Sequence, residues 1–158
     1  MSKRRSFRHL AHLPSVREQP IIFFTVVTHA RQAVLANDFA HQLLRGLWER
    51  SGDRNGWFVG DYVLMPDHVH MFARPALQAE PISVWVKMWK SVSSRQLKAA
   101  RAATAPVWQD EYFDRYLRSD ESYEQKWSYV RDNPVRAGLV IDADLWPYRG
   151  RIFELGDP

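Results

Sequence analysis

Cysteine is absent from this 158-residue chain, which excludes disulfides and thiolate metal sites and fits a reducing cytoplasm. Long apolar runs are missing too. The longest, Ile21-Ile22-Phe23-Phe24-Thr25-Val26-Val27, has seven residues, where a spanning helix needs about 20. The basic opening Met1-Ser2-Lys3-Arg4-Arg5-Ser6-Phe7-Arg8 leads into no apolar signal core. The expectation is a soluble cytoplasmic protein. Acid is missing from two places. The first ten residues hold Lys3, Arg4, Arg5 and Arg8 and no carboxylate, and no Asp or Glu occurs from Pro81 to Gln109.

What is present sorts around those gaps. With 22 basic and 18 acidic residues in all, the chain beyond residue 10 is formally neutral, so an anion-binding face has to come from segregation. Lys87, Lys90, Arg95, Lys98 and Arg101 supply it. At roughly 100° per residue they fall within an arc of about 140°, which Ser91 and Ser94 share. Trp85, Met88, Trp89, Val92 and Ala99 lie largely on the other side. This is an amphipathic helix with an apolar face toward the core and a basic face toward something anionic. Ordinary solvated faces mix both signs, so a phosphate-binding face stands level with a simply solvated one. The tryptophans suit a core better than a membrane surface.

The hydrophobic content, 46%, suits one globular domain, with residues 1–19 as a basic N-terminal arm and 20–158 as the folded unit. Ile21 to Thr28 reads as a buried strand. Asn37 or Asp38 can cap a helix carrying Phe39, Leu43, Leu44, Leu47 and Trp48. Ser51 to Gly56 reads as a loop and Trp57 to Met65 as a second strand. Pro66-Asp67 makes a tight connection to a third, His68 to Arg74. After the basic helix, Trp108 to Leu117 is the fourth strand. Ser119 or Asp120 starts a helix running to Asn133, before Pro134, and an extra helix and a short tail follow. The order strand, helix, strand, strand, helix, strand is that of an α+β ferredoxin-like split βαβ sandwich.

His68 and His70 are the candidate pair for chemistry, the alternative being histidines that hydrogen-bond within the sheet or stand solvated at its edge. In a strand, residues two apart share a face, so both imidazoles project together, close enough for one metal ion, with coordination positions left for water or phosphate oxygen. Val69, Met71 and Ala73 fall to the opposite, core-facing side. His9, His12, His29 and His41 have no such spacing. In the last helix Tyr129 and Asn133 are four apart and share a face. Asn133 offers a carbonyl oxygen as third ligand. Tyr129 offers a nucleophile toward phosphorus, weak at a pKa near 10 unless a metal polarises the phosphate. Tyr112, Tyr116 and Tyr123 compete on chemistry alone, but only Tyr129 has the amide at helical spacing.

Three stretches together resemble a known family: Met65-Pro66-Asp67-His68-Val69-His70, Val107-Trp108-Gln109-Asp110-Glu111-Tyr112-Phe113-Asp114-Arg115, and Tyr129-Val130-Arg131-Asp132-Asn133-Pro134-Val135-Arg136-Ala137-Gly138-Leu139-Val140. The chain is similar to single-tyrosine transposases, and more narrowly to the REP-associated tyrosine transposases of bacteria, in the HUH endonuclease superfamily. The resemblance runs from about Ile21 to Tyr148. It implies His68, His70 and Asn133 as metal ligands, where related insertion-sequence transposases place glutamine at the third position, and Tyr129 as nucleophile. It implies Mg²⁺ or Mn²⁺ as cofactor and single-stranded DNA hairpins, repetitive extragenic palindromes, as partner. Cleavage would leave a 5′-phosphotyrosine link and a free 3′-hydroxyl able to attack a second such junction. A monomer and a homodimer exchanging tyrosine helices are both open.

Arg4, Arg5, Lys87, Lys90, Arg95, Lys98 and Arg101 are the expected DNA contacts. Two rival readings make different demands. A non-catalytic module that binds hairpins would survive alanine at His68 and His70. A metal-dependent hydrolase using water would survive Tyr129→Phe.

Overall fold

The computed structural model describes residues 19–117 and 122–156. Apart from its last residue, the expected basic arm, with Arg4 and Arg5, lies outside them. Five strands, β1 (Ile22–Val27), β2 (Trp57–Leu64), β3 (His68–Pro75), β4 (Phe113–Tyr116) and β5 (Arg149–Arg151), form one sheet in the order β4-β1-β3-β2-β5. Every pairing is antiparallel. Between them run α1 (Asp38–Asn55), α2 (Ile82–Ala99), α3 (Tyr123–Arg131) and the short α4 (Asn133–Arg136). The first four strands and their helices make the expected split βαβ sandwich. No described helix is long and apolar enough to cross a membrane.

Both faces of the sheet are covered, which is why β1 reads as an almost unbroken apolar run. Ile22, Phe24 and Val26 pack with Val69, Met71 and Ala73 under α1 and α2. Ile21 and Phe23 pack with Phe72, Tyr123, Trp127 and Val130 beneath α3. Thr25 is the polar break in β1, and its register partner is His70. Tryptophans fill the first core: Trp57 and Trp85 stack at 5.0 Å, and Trp89 meets Trp48 edge-on at 5.6 Å.

The register of β2 shifts between Val59 and Tyr62. Trp57 and Val59 face the first core, and so do Tyr62 and Leu64, two odd and two even positions. A bulge of this kind re-aims a side chain, here Asp61, which is buried. Its Oδ2 accepts from the Tyr123 hydroxyl at 2.6 Å, and its Oδ1 accepts from Arg151 Nε at 3.0 Å. Tyr123 is the first residue of α3, so the bulge anchors the start of the helix that carries Tyr129. Gly60 makes the approach feasible, since a Cβ there would stand 2.6 Å from Leu155 and 3.0 Å from the Tyr123 oxygen.

The structure corrects several expected boundaries. Of the loop predicted from Ser51 to Gly56, the first five residues are the last turn and a half of α1, which Gly56 closes in the left-handed region at φ 77°. Tertiary contacts override the loop-like composition: Ser51 is buried, donates to Leu47 O and accepts from Trp85 Nε1. The fourth strand is shorter than predicted, with Trp108 contributing only a bridge to Thr28. Ser122 caps α3, accepting from Gln125 N, while Ser119 and Asp120 fall outside the described residues.

The helix also stops at Arg131. Pro134 has no N–H to continue the ladder, so Asn133 opens α4, and Gly138 at φ 73° ends it. The run Asn133 to Gly138 is therefore the start and stop of a single short turn.

Candidate active site

The two histidines stand on the α3 side of the sheet, their ring centroids 4.8 Å apart. Each is held through Nδ1. His68 donates to Asp67 Oδ1 at 2.7 Å, and His70 shares a 2.8 Å hydrogen bond with Thr25 Oγ1. Nε2 of each ring then has no hydrogen bond among the described residues. Metal-binding histidines are oriented in this way by a partner on the second nitrogen. Phe23 stacks on His70 at 5.5 Å. Burial, and then the charges of His68, Lys126 and Arg136, push the His70 pKa down to about 3. The ring is neutral at physiological pH, the form that ligates metal.

The turn before β3 is built to hold Asp67. Thr28 N donates to Asp67 O at 2.9 Å, and Arg31 Nη1 lies 3.4 Å from Asp67 Oδ2. Burial works against the carboxylate, but the hydrogen bonds and charges of His68 and Arg31 outweigh it and hold Asp67 below its usual pKa. Ala30 and Arg31 both sit at positive φ, 53° and 51°, a costly pair for residues with side chains.

Tyr129 and Asn133 remain neighbours despite the break between α3 and α4, because Arg136 joins them. Its guanidinium lies 3.9 Å from the centroid of the Tyr129 ring, and it donates to Tyr129 O and to Asn133 Oδ1. Tyr129 is 62% exposed, as a nucleophile for a macromolecule needs to be. Among the described residues no group of three His, Asp and Glu side chains suits a metal ion. The Asn133 amide oxygen, a donor of another kind, accepts from Arg136.

The competing tyrosines fare worse. Tyr123 is buried and donates a hydrogen bond to Asp61; burial and that carboxylate push its pKa up, so it keeps its proton. Burial and Asp114 raise Tyr112. Tyr116 is as exposed as Tyr129, but it is the register partner of Ile22 and so lies on the face of the sheet away from the histidines. His41 is engaged elsewhere, 2.6 Å from the Tyr62 hydroxyl.

The basic helix packs against the opposite face of the sheet. Lys87, Arg95, Lys98 and Arg101 are exposed. Lys90 differs: it is half-buried and donates to the carbonyls of Gln109 and Asp110, a tether on the segment entering β4. The C-terminal end of α2 leads to the end of the sheet that carries the histidines, on its other face. Gln32, just after the Thr28–Arg31 turn, donates to Thr104 O and Pro106 O in the loop that follows Arg101. Lys98 and Arg101 therefore lie toward the histidine end of the sheet. Replacing Lys87 and Lys98 by alanine together is expected to lower the slope of log affinity against log salt by about 1.4 for single-stranded DNA, at roughly 0.7 per phosphate contact. A fluorescence-anisotropy salt series measures it, and an unchanged slope removes this helix from the interface.

Sequence reading missed Arg136 as a site residue, although it lies inside the motif, and missed Thr25 and Asp61. Thr25 had a signal, the lone polar side chain in an apolar strand.

The family model described as "Transposase IS200 like" matches residues 18–133. A protein of Haemophilus influenzae assigned to the REP-associated tyrosine transposases is 20% identical over 137 residues, covering 81% of this chain and 77% of its own length. The REP-associated tyrosine transposase of Escherichia coli K12 is 23% identical over 131 residues, 80% of this chain and 73% of its own. Among solved structures, a REP-associated tyrosine transposase bound to a REP hairpin superimposes with a TM-score of 0.69 at 20% identity, over 83% of this chain and 76% of that one. A transposase-like protein of Deinococcus radiodurans gives 0.54 at 22% identity, over 72% and 90%. With more than half its length matched by the family model, and with that fold around a paired-histidine site, the chain belongs to the IS200-like transposases and is an enzyme of that family.

Proposed function

We propose that this transposase cleaves and rejoins single-stranded DNA at palindromic, REP-type hairpins through a 5′-phosphotyrosine intermediate, in the bacterial cytoplasm at the nucleoid. The observation that carries the reading is the paired histidine geometry: two rings 4.8 Å apart, each fixed through Nδ1 and each with Nε2 open. His68, His70 and Asn133 would hold Mg²⁺ or Mn²⁺. That ion supplies Lewis-acid polarisation of the scissile phosphate.

The remaining work belongs to the chain. Tyr129 Oη forms a bond to phosphorus while the bond from phosphorus to the 3′ oxygen breaks. The phenolic proton is balanced by the one the released 3′-hydroxyl acquires, by way of solvent. No high-energy cofactor is needed, because the phosphotyrosine bond keeps the energy of the one broken. A second 3′-hydroxyl attacking it restores the phenol and joins the strands. Thr25 and Asp67 fix the imidazoles, and the exposed cations of α2 hold the backbone.

The ends of the products test this. Incubated with Mn²⁺ and a single-stranded REP-type hairpin, the protein is expected to release a fragment with a 3′-hydroxyl that a polymerase extends, while the 5′ end downstream is blocked to kinase and phosphatase. A free 5′-phosphate in the first product formed would favour attack by water, and binding without cleavage on REP-type hairpins would favour a module that only binds.

A further inference from the structure

Two cations stand beside the histidine pair, and neither has a carboxylate partner among the described residues. Lys126 Nζ lies 5.2 Å from the centroid of the Phe23 ring, the ring that stacks on His70. Among the described residues Arg136 is held by neutral groups: the Tyr129 ring, the Tyr129 carbonyl at 2.6 Å and the amide oxygen of Asn133. A guanidinium is permanently charged, and its planar donors match phosphate oxygens better than amide oxygens. It is also exposed, so a backbone phosphate can compete for it. Asn133 Oδ1 has two acceptor positions, but a metal ion bound there would face the guanidinium across a few ångströms, at a cost in like-charge repulsion.

We propose that Arg136 is a substrate-operated latch. In the free protein its guanidinium takes up Asn133 Oδ1 and covers the Tyr129 ring. When DNA arrives it transfers to a phosphate, which frees Asn133 to ligate and releases the face of the Tyr129 ring that the guanidinium occupied. Arg136 is thus a positioning residue for both nucleophile and third ligand. The inference rests on the reading of His68, His70 and Asn133 as a metal site. Its consequence is that DNA and metal bind with positive cooperativity, each raising the affinity of the other by the same factor.

Mn²⁺ binding in the absence of DNA, followed by the electron paramagnetic resonance of free Mn²⁺, tests the latch without relying on activity. Arg136 is exposed at the end of a four-residue helix, so Arg136→Ala is expected to fold, with near-UV circular dichroism as the check. Arg136→Ala should bind Mn²⁺ about five-fold more tightly than wild type, or more. Adding Asn133→Ala should erase most of that gain. Unchanged or weaker binding in Arg136→Ala overturns the latch. So does a gain that survives in the double variant, because removal of a nearby charge would then explain it without Asn133. His68→Ala separates the two levels: if it binds Mn²⁺ as wild type does, the metal site itself is wrong and the latch falls with it.

Discussion

Tyr129→Phe is expected to lower strand cleavage on the order of 10³-fold or more while hairpin affinity stays within about two-fold and stability within about 0.5 kcal/mol. The ring is 62% exposed, so removing its oxygen opens no cavity and orphans no buried partner. The guanidinium of Arg136 over the ring needs no hydroxyl, so the local arrangement survives. A loss of cleavage with binding intact therefore reports on chemistry and not on folding. Tyr123→Phe should behave in the opposite manner. It removes a buried hydrogen bond to Asp61 and loosens the start of α3, so its loss should appear first in thermal stability. Single-turnover cleavage, anisotropy and thermal melts on the same two variants separate the cases.

The second large effect is expected at the histidines. His70→Ala removes a proposed ligand whose ring is kept neutral by burial and by the charges around it. Cleavage and Mn²⁺ affinity should each fall by at least about 100-fold, and His68→Ala should match it. Thr25→Val tests the support beneath the ligand, because it keeps the shape and removes the oxygen 2.8 Å from His70 Nδ1. An effect on metal affinity of about 10- to 100-fold is the usual reach of such a partner. Isothermal titration with Mn²⁺ reads all three. Equal affinity in His70→Ala and wild type would leave the pair as structural histidines.

The parts of this site that were legible in the sequence are those governed by short-range periodicity. A strand alternates faces, so His68 and His70 announce themselves as a pair, and Val69, Met71 and Ala73 as the core beneath. The acid-free stretch announces the basic helix. Long-range pairing left fainter marks. The bulge that turns Asp61 toward Tyr123 sits inside a strand whose composition reads as continuous, and its partner Tyr123 is 62 positions away. Strand β5, Arg-Gly-Arg, has no strand signature and exists because β2 offers it an edge.

Lys90 looked like its neighbours on the wheel, yet the segment at Gln109 and Asp110 passes close enough to claim it. The spacing of Tyr129 and Asn133 was read as one helix. Pro134 breaks that helix, and Arg136, from the next turn, touches both side chains, the Tyr129 ring and the Asn133 amide.

Tyr129 is expected to become covalently joined to DNA at a site built by His68 and His70. A single-stranded REP-type hairpin labelled at its 3′ end, incubated with Mn²⁺ and run on a denaturing gel beside Tyr129→Phe and His68→Ala, tests it most directly. A labelled protein–DNA band that survives denaturation in wild type only, and maps to the peptide containing Tyr129, is the predicted result. The same band in Tyr129→Phe, or cleavage by wild type with no band at all, would contradict it.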